Sequence, residues 1–385
     1  MTQAGPSIQE AAAVRDLLKP WLLDQAFPLW WTVGADHALG GFHEKIGRDG
    51  RAIDAPRRGR VLPRQIYAFC RAGALGWNGP WREAVEHGCE FLLRAYRRPD
   101  GLVRTLVAPG GAPLDDTADL YDQAFALLAF AHAFAAGVRA EECGAAAHAL
   151  RVSLEIRLGD GSGGFREQET GPLRNSNSHM HLFEALLAWV EIDPDPEWRA
   201  LTRRLGRMAV EVFVDPTTGA VREAFDEAWR PKPEAPVEPG HQFEWSWLLT
   251  RWSGLEGCEA PPAAHRLFEI GEAHGVDPAS GTTLDALDGA LSPVLRTGRL
   301  WPQTERLKAA AQRGAVYGEA AAWRAAAQAG RVLLTYFEDV PAGAWRDRRR
   351  PDGGFVDEPS PASSLYHIVC AVEVLDQSLR EAGAD

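Results

Sequence analysis

Apolar residues recur along most of this chain with a helical period rather than a strand period. Residues 119–135 (DLYDQAFALLAFAHAFA) and 181–190 (HLFEALLAWV) are apolar on every side, the pattern of a helix surrounded by other elements. Residues 81–97 and 198–214 instead mix Arg and Glu with apolar positions at helical spacing, as helices with one wet face do. Alternation of the two kinds predicts two concentric rings of helices. Strand signals are short, such as 220–225, and predict only small hairpins in loops.

A polar residue stands near the start of each inner stretch: Arg64, Asp122, His181, His241, Gln303 and His367, at intervals of 58, 59, 60, 62 and 64 residues. A period of that size fits one helical hairpin, so six hairpins account for almost the whole chain and predict an all-α toroid. Asp- and Gly-containing turns repeat at a similar spacing, at 36–41, 100–101, 160–164, 215–219, 277–281 and 352–354, and read as punctuation between hairpins. Pro63 precedes Arg64, Pro239-Gly240 precede His241 and Pro302 precedes Gln303, and proline favours the first turn of a helix. The ring is therefore expected at inner-helix N-termini, with a pocket at that end.

No Pro/Ser-rich linker or charge run divides the 385 residues, so residues 1–385 are read as one domain. A formal charge of −12 without a basic stripe argues against nucleic acid as a partner. The five cysteines, Cys70, Cys89, Cys143, Cys258 and Cys370, contain no C-x-x-C pair, which points to a reducing compartment. Neither a signal-like N-terminus nor an apolar run of about 18 residues occurs, so a cytoplasmic protein without a membrane segment is expected.

Candidate chemistry is concentrated in two matching motifs, His181-Leu-Phe-Glu184 and His241-Gln-Phe-Glu244, in which the carboxylate lies one helical turn from the imidazole. His179 and His181 lie about 200° apart on a helix, so only one faces the axis, and Glu184 selects His181. With His367 the ring offers three imidazoles, the natural general acids and bases near neutral pH. Trp245, Trp247, Trp301 and Tyr366 are expected to rim the cavity, and aromatic faces with a few polar groups suit a sugar. A lone histidine on an apolar helix is more often a core residue; the joint spacing of three favours a site. The helical His-Glu-x-x-His spacing is absent, so no metal is expected.

The segments Arg174-Asn-Ser-Asn-Ser-His-Met-His181-Leu-Phe-Glu184, Pro239-Gly-His241-Gln-Phe-Glu244-Trp245, Leu300-Trp-Pro-Gln-Thr-Glu305 and Ser363-Ser-Leu-Tyr-His367 resemble the N-acylglucosamine 2-epimerase superfamily. The resemblance runs from Gly40-Gly-Phe42 to His367 and implies an (α/α)6 barrel acting on the reducing end of free sugars without a cofactor. It implies that Arg64 binds substrate, that His181, His241 and His367 are the active-site histidines, and that Glu244 and Glu305 are acidic pocket residues. Tyr121, Asp122, Glu184, Trp245 and Trp301 complete the expected binding set. Trp301-Pro302-Gln303-Thr304-Glu305 looks more like the mannose isomerases than the 2-epimerases, while Pro63 stands where relatives place a helix former.

Residue chemistry then suggests a mechanism. His367 takes the C2 proton of an open-chain aldose, His241 acts as partner acid or base, and Arg64 and His181 hold the oxygens of the enediolate. Proton return to C1 yields a ketose, with mannose and fructose as the expected pair; return to the opposite face of C2 yields the epimer. The alternatives are a 2-epimerase, an inverting glycoside hydrolase using Glu184, Glu244 or Glu305, and a non-catalytic binding toroid. The expected partner is a small sugar, for a monomer or homodimer.

Overall fold

Inner and outer helices alternate along residues 5–384, the part of the chain described by the computed structural model. In chain order they are α1 (Pro6–Trp21), α2 (Phe27–Thr32), α3 (Val61–Leu75), α4 (Trp81–Phe91), α5 (Leu120–Ala135), α6 (Ala140–Arg157), α7 (Ser176–Ile192), α8 (Pro196–Met208), α9 (Pro239–Glu256), α10 (Pro262–His274), α11 (Leu300–Tyr317), α12 (Ala320–Thr335) and α13 (Ser364–Glu381). One π-type turn, Leu22–Ala26, joins α1 to α2, and two more extend α4 and α8.

The odd-numbered helices from α3 to α13 form the inner ring, each packed on the next and α13 on α3. Each of the first five is covered by the helix that follows it, and α1 packs on α12 and α13, so the first helix covers the last inner one and closes the circle. Sequence explains the two layers. α5 is apolar on all sides and buries Leu120, Phe125, Leu127, Leu128 and Phe130. α8 buries one face, Trp198, Leu201, Thr202, Leu205, Gly206 and Met208, leaving Arg203 and Arg207 in solvent. Each large apolar side chain removed from water contributes roughly 1.5–3 kcal/mol.

Short connections join each inner helix to the next outer one, and Gly76, Gly257 and Gly318 end α3, α9 and α11 in the left-handed conformation. Long connections lie at the other end, above the inner-helix N-termini. There Lys45–Ile46 pairs antiparallel with Ser360–Pro361, tying the first long loop to the last, and Gly298–Arg299 pairs with Arg348–Arg349. Five of the six expected turns follow outer helices; in those at 215–219 and 277–281 Gly219 and Gly281 adopt positive φ and donate their N–H to Asp215 and Asp277. The sixth, 352–354, caps the hairpin after Arg348–Arg349 instead, and residues 339–343 turn the chain after α12, with Asp339 and Gly343 at positive φ.

The evenly spaced polar series needs a second correction. Gln303 does not face the cleft: its Oε1 accepts the N–H of Thr283 at 2.8 Å and its Nε2 donates to the same residue's carbonyl at 2.8 Å. Gln123 holds Val103 and Gln242 holds Val221 in the same two-bonded way, and His179 accepts the N–H of Phe165 at 3.0 Å. These four residues are the true equivalents, clamping one loop each. A shift of one residue turns a helical side chain by about 100°, so Asp122 and His241 stand one residue before their clamps while Gln303 is itself a clamp.

Candidate active site

At the N-terminal end of the inner ring lies a cleft of about 470 Å³ whose lining includes Arg64, Tyr121, His181, His241, Trp301 and His367. Residues from α3, α5, α7, α9, α11 and α13 thus meet in one space, although 303 positions separate Arg64 from His367 in the chain. Gly240 makes room for the wall: a Cβ there would lie 2.4 Å from the ring of Trp301. That ring sits 4.9 Å from the imidazole of His241 and 5.8 Å from that of His367, measured between centroids.

The three histidines have different surroundings. His367 Nδ1 and Glu305 Oε1 lie in hydrogen-bond contact at 2.8 Å. Burial first, then the cations Arg64 and Lys308, hold its proton affinity well below the usual histidine range, so it is neutral at pH 7. His241 donates from Nδ1 to Glu223 Oε2 at 2.8 Å. Burial pulls His241 down, but the carboxylates of Glu223 and Glu238 outweigh it and hold it up at about 9, so it carries a proton at pH 7. His181 lies 3.4 Å from Glu184 and 3.8 Å from Glu244; burial exceeds the pull of Glu184 and takes it down to about 3.

Arg64 donates to the Tyr121 hydroxyl at 2.6 Å, and its guanidinium lies 4.0 Å from the Phe125 ring centroid. Burying a cation among aromatic faces leaves its remaining donors for an anionic or polyhydroxyl ligand. Glu244 lines the cleft with both oxygens buried and without a hydrogen-bond partner among the described residues. Burial, then repulsion from Glu305, pushes its proton affinity well above the usual carboxylate range.

Other expected site residues lie elsewhere. Asp122 is fully buried outside the cleft lining, 3.2 Å from Arg60, and burial raises it to about 7. Trp245 packs on the flank between α7 and α9, stacked 5.8 Å from Phe183, because it lies past the axial face that His241 and Glu244 share. Glu184 sits behind His181, accepts the hydroxyl hydrogen of Tyr366 and lines a cavity of about 690 Å³ at the opposite end of the barrel. Trp247, roughly 9 Å deeper along α9 than His241, lines that same cavity, and Tyr366 is wholly buried as part of the floor. Glu305 reaches the cleft only through His367.

Sequence reasoning missed Glu223, Glu238, Asn177 and Lys308. The carboxylate of Glu223 comes from a loop and is placed by tertiary structure alone; Lys308, the one lysine of the Ala-rich inner helix α11, was the readable signal. Three groups place ligand atoms within 4.8 Å of one another and could hold a cation: His181, Glu184 and Glu244; Glu223, Glu238 and His241; and Glu244, Glu305 and His367. In the last of these Lys308 Nζ already lies 2.5 Å from Glu305 and 3.8 Å from Glu244. No helix among the described residues is long and apolar enough to cross a membrane.

Comparison with known proteins places this geometry. The chain is 44% identical, over 94% of its length and 97% of the other's, to the mannose-6-phosphate isomerase of Rhizobium meliloti (strain 1021). It is 28% identical to the D-mannose isomerase of Thermobifida fusca, over 83% of this chain and 84% of that one. The structure of cellobiose 2-epimerase from Spirochaeta thermophila DSM 6192 superposes with a TM-score of 0.87 over 99% of both chains at 23% identity, a likeness of fold. Residues 40–371 match the family described as N-acylglucosamine 2-epimerase (GlcNAc 2-epimerase), and the chain belongs to that family of (α/α)6 barrels.

Proposed function

We propose that this protein is an aldose–ketose isomerase that interconverts mannose and fructose through an enediolate. The observation that carries the reading is a pair of histidines flanking one indole with different partners: His241 faces Glu223 and Glu238, which raise its proton affinity, while burial and the cations Arg64 and Lys308 lower that of His367. A base and an acid are thus ready in one cleft near neutral pH.

In the proposed reaction His367, whose Nδ1–H is committed to Glu305, uses the Nε2 lone pair to remove the C2 proton of the open-chain sugar. Electrons from that C–H bond form the C1–C2 double bond, and the carbonyl oxygen becomes an enediolate oxygen. The His241 imidazolium and the Arg64 guanidinium stabilise the developing negative charge. Six inner-helix N-termini pointing at the cleft add partial positive charge there. His181, neutral with Nδ1 towards Glu184, offers Nε2 as acceptor for a sugar hydroxyl. Transfer of the His241 proton to O1 gives the enediol; return of the His367 proton to C1, with the O2 hydrogen passing to His241, completes the ketose and restores both histidines.

The spacing of two carboxylate pairs weighs against an inverting hydrolase. Oxygens of Glu244 lie within 4.8 Å of those of both Glu184 and Glu305, closer than the roughly 6.5–9.5 Å that lets a water stand between an inverting pair. A second reading, mannose 6-phosphate as substrate, draws on the name of the Rhizobium relative and on Lys45, Arg58, Arg299 and Arg348 at the mouth. Against it, three of these are already compensated: Arg58 by Glu44 at 2.7 Å, Arg299 by Glu238 at 2.8 Å and Arg348 by Glu358 at 2.7 Å. The free sugar is therefore the favoured substrate.

Incubation with mannose, and separately with mannose 6-phosphate, in D2O followed by NMR tests the reading. Fructose from free mannose, with deuterium entering at C1, is expected. Glucose as first product would make the protein a 2-epimerase, and turnover of the phosphate ester alone would replace the substrate.

A further inference from the structure

Beneath the histidines lies a layer with unusual charge. Glu184, Glu244 and Glu305 come together from α7, α9 and α11, each essentially inaccessible to solvent. Lys308, one turn after Glu305 on α11, is wholly buried with them. Its ammonium lies 2.5 Å from Glu305, 3.8 Å from Glu244 and 3.9 Å from the centroid of the Trp247 ring. Burying an ammonium costs several kcal/mol unless neighbouring charge repays it, so this placement needs the carboxylates as much as they need the cation.

We propose that Lys308 is a positioning residue: by keeping Glu305 an anion, it fixes His367 in the tautomer with its hydrogen on Nδ1 and so leaves Nε2 bare as the base. The geometry supplies the chain Lys308 Nζ, Glu305 Oε2, Glu305 Oε1, His367 Nδ1, with end contacts of 2.5 and 2.8 Å. Burial raises the proton affinity of Glu305 above the usual carboxylate range and Lys308 is the strongest pull against it, so loss of the cation favours a protonated Glu305. A carboxylic acid in this place donates to Nδ1, the imidazole hydrogen moves to Nε2, and the base is lost. The groups facing this chain are Glu244, Glu184 and Cys370 around Lys308, and Arg64, His181 and His241 around His367 and Glu305. Lys308 stays charged, since those carboxylates outweigh burial and raise its proton affinity.

This inference rests on His367 being the base, and two measurements separate the claims. In the intact wild-type protein labelled with 15N-histidine, two-bond 1H–15N correlation, assigned by the signal lost in His367→Asn, is expected to show His367 as the Nδ1–H tautomer at pH 7. The Nε2–H tautomer overturns the proposal, whether or not any variant folds. In Lys308→Met, kcat is expected to fall about 10² to 10⁴-fold at pH 7 with KM little changed, and to climb about tenfold per pH unit where the wild type is flat, as Glu305 regains its charge. Lys308→Arg is expected to restore the wild-type profile. A folded Lys308→Met with wild-type kcat and pH profile sinks the idea. If the wild type turns over no aldose, the proposed activity fails, and the His367 tautomer compared between the wild type and Lys308→Met decides the role of Lys308.

Discussion

Glu223 accepts a hydrogen bond from His241 Nδ1 at 2.8 Å, and the two residues are 18 apart in the chain, one on a long loop and one in the first turn of α9. Glu238, at the N-terminus of the same helix, adds a second carboxylate to the field that holds His241 at about 9 against the effect of burial. An imidazolium stable through neutral pH is what an enediolate needs as a hydrogen-bond donor.

Glu223→Gln removes the nearest carboxylate and is expected to lower the alkaline limb of kcat/KM. His241 has a folded value above its unfolded value of about 6.5, so its acid form is present below that range and lost as pH rises through about 9. In the variant the loss is expected at least one pH unit earlier. An unmoved limb in a pH–rate profile would show that another group sets it.

Gly240→Ala places a methyl group 2.4 Å from the Trp301 ring and forces the indole away from His241. Overpacking of this kind costs about 1–3 kcal/mol. A lower Tm and a KM for mannose raised about tenfold are the expected outcomes. Unchanged values for both would remove Trp301 from the cleft wall.

Gln303→Leu leaves the N–H and carbonyl of buried Thr283 unpaired, at about 1–3 kcal/mol for each group. Thermal unfolding should show that loss while kcat of the surviving folded enzyme stays within about twofold. Lost turnover at unchanged Tm would return Gln303 to the substrate-binding ring.

His132 lines the opposite cavity, and burial holds its proton affinity down at about 3. Its folded value lies below the unfolded value of about 6.5, so the unfolded chain takes up a proton there and the wild type loses stability as pH falls below that value. Replacement by Phe keeps a ring against Tyr67, 4.6 Å away in the wild type, and removes the titration. Urea midpoints at pH 7 and pH 5 should show the variant gaining on the wild type as pH falls. A constant difference would contradict a buried neutral His132.

Much of this is legible in the sequence, because helical burial writes itself into periodicity. The two kinds of helix and the grouping of Arg64, His181, His241 and His367 follow from the apolar pattern and the repeat length. The register within each repeat was harder. Gln303 and Asp122 fit the spacing to within a residue, yet a residue is about 100° of helix, enough to turn a side chain from the cleft to a loop clamp or to Arg60. Trp245 and Trp247 were placed by residue type, and aromatic side chains suit a barrel wall as well as a cleft.

The helical layers, the end of the barrel at which polar groups gather and the histidines that meet there are legible along the chain, since each is set by contacts along one helix or by the repeat. Charge states arise instead from contacts between elements. Glu223 reaches His241 from a loop, Glu305 reaches His367 from the neighbouring helix, and Lys308 is enclosed by carboxylates of three helices. Proton affinity depends on burial and on charges within a few ångströms in space, and no spacing along the chain records either.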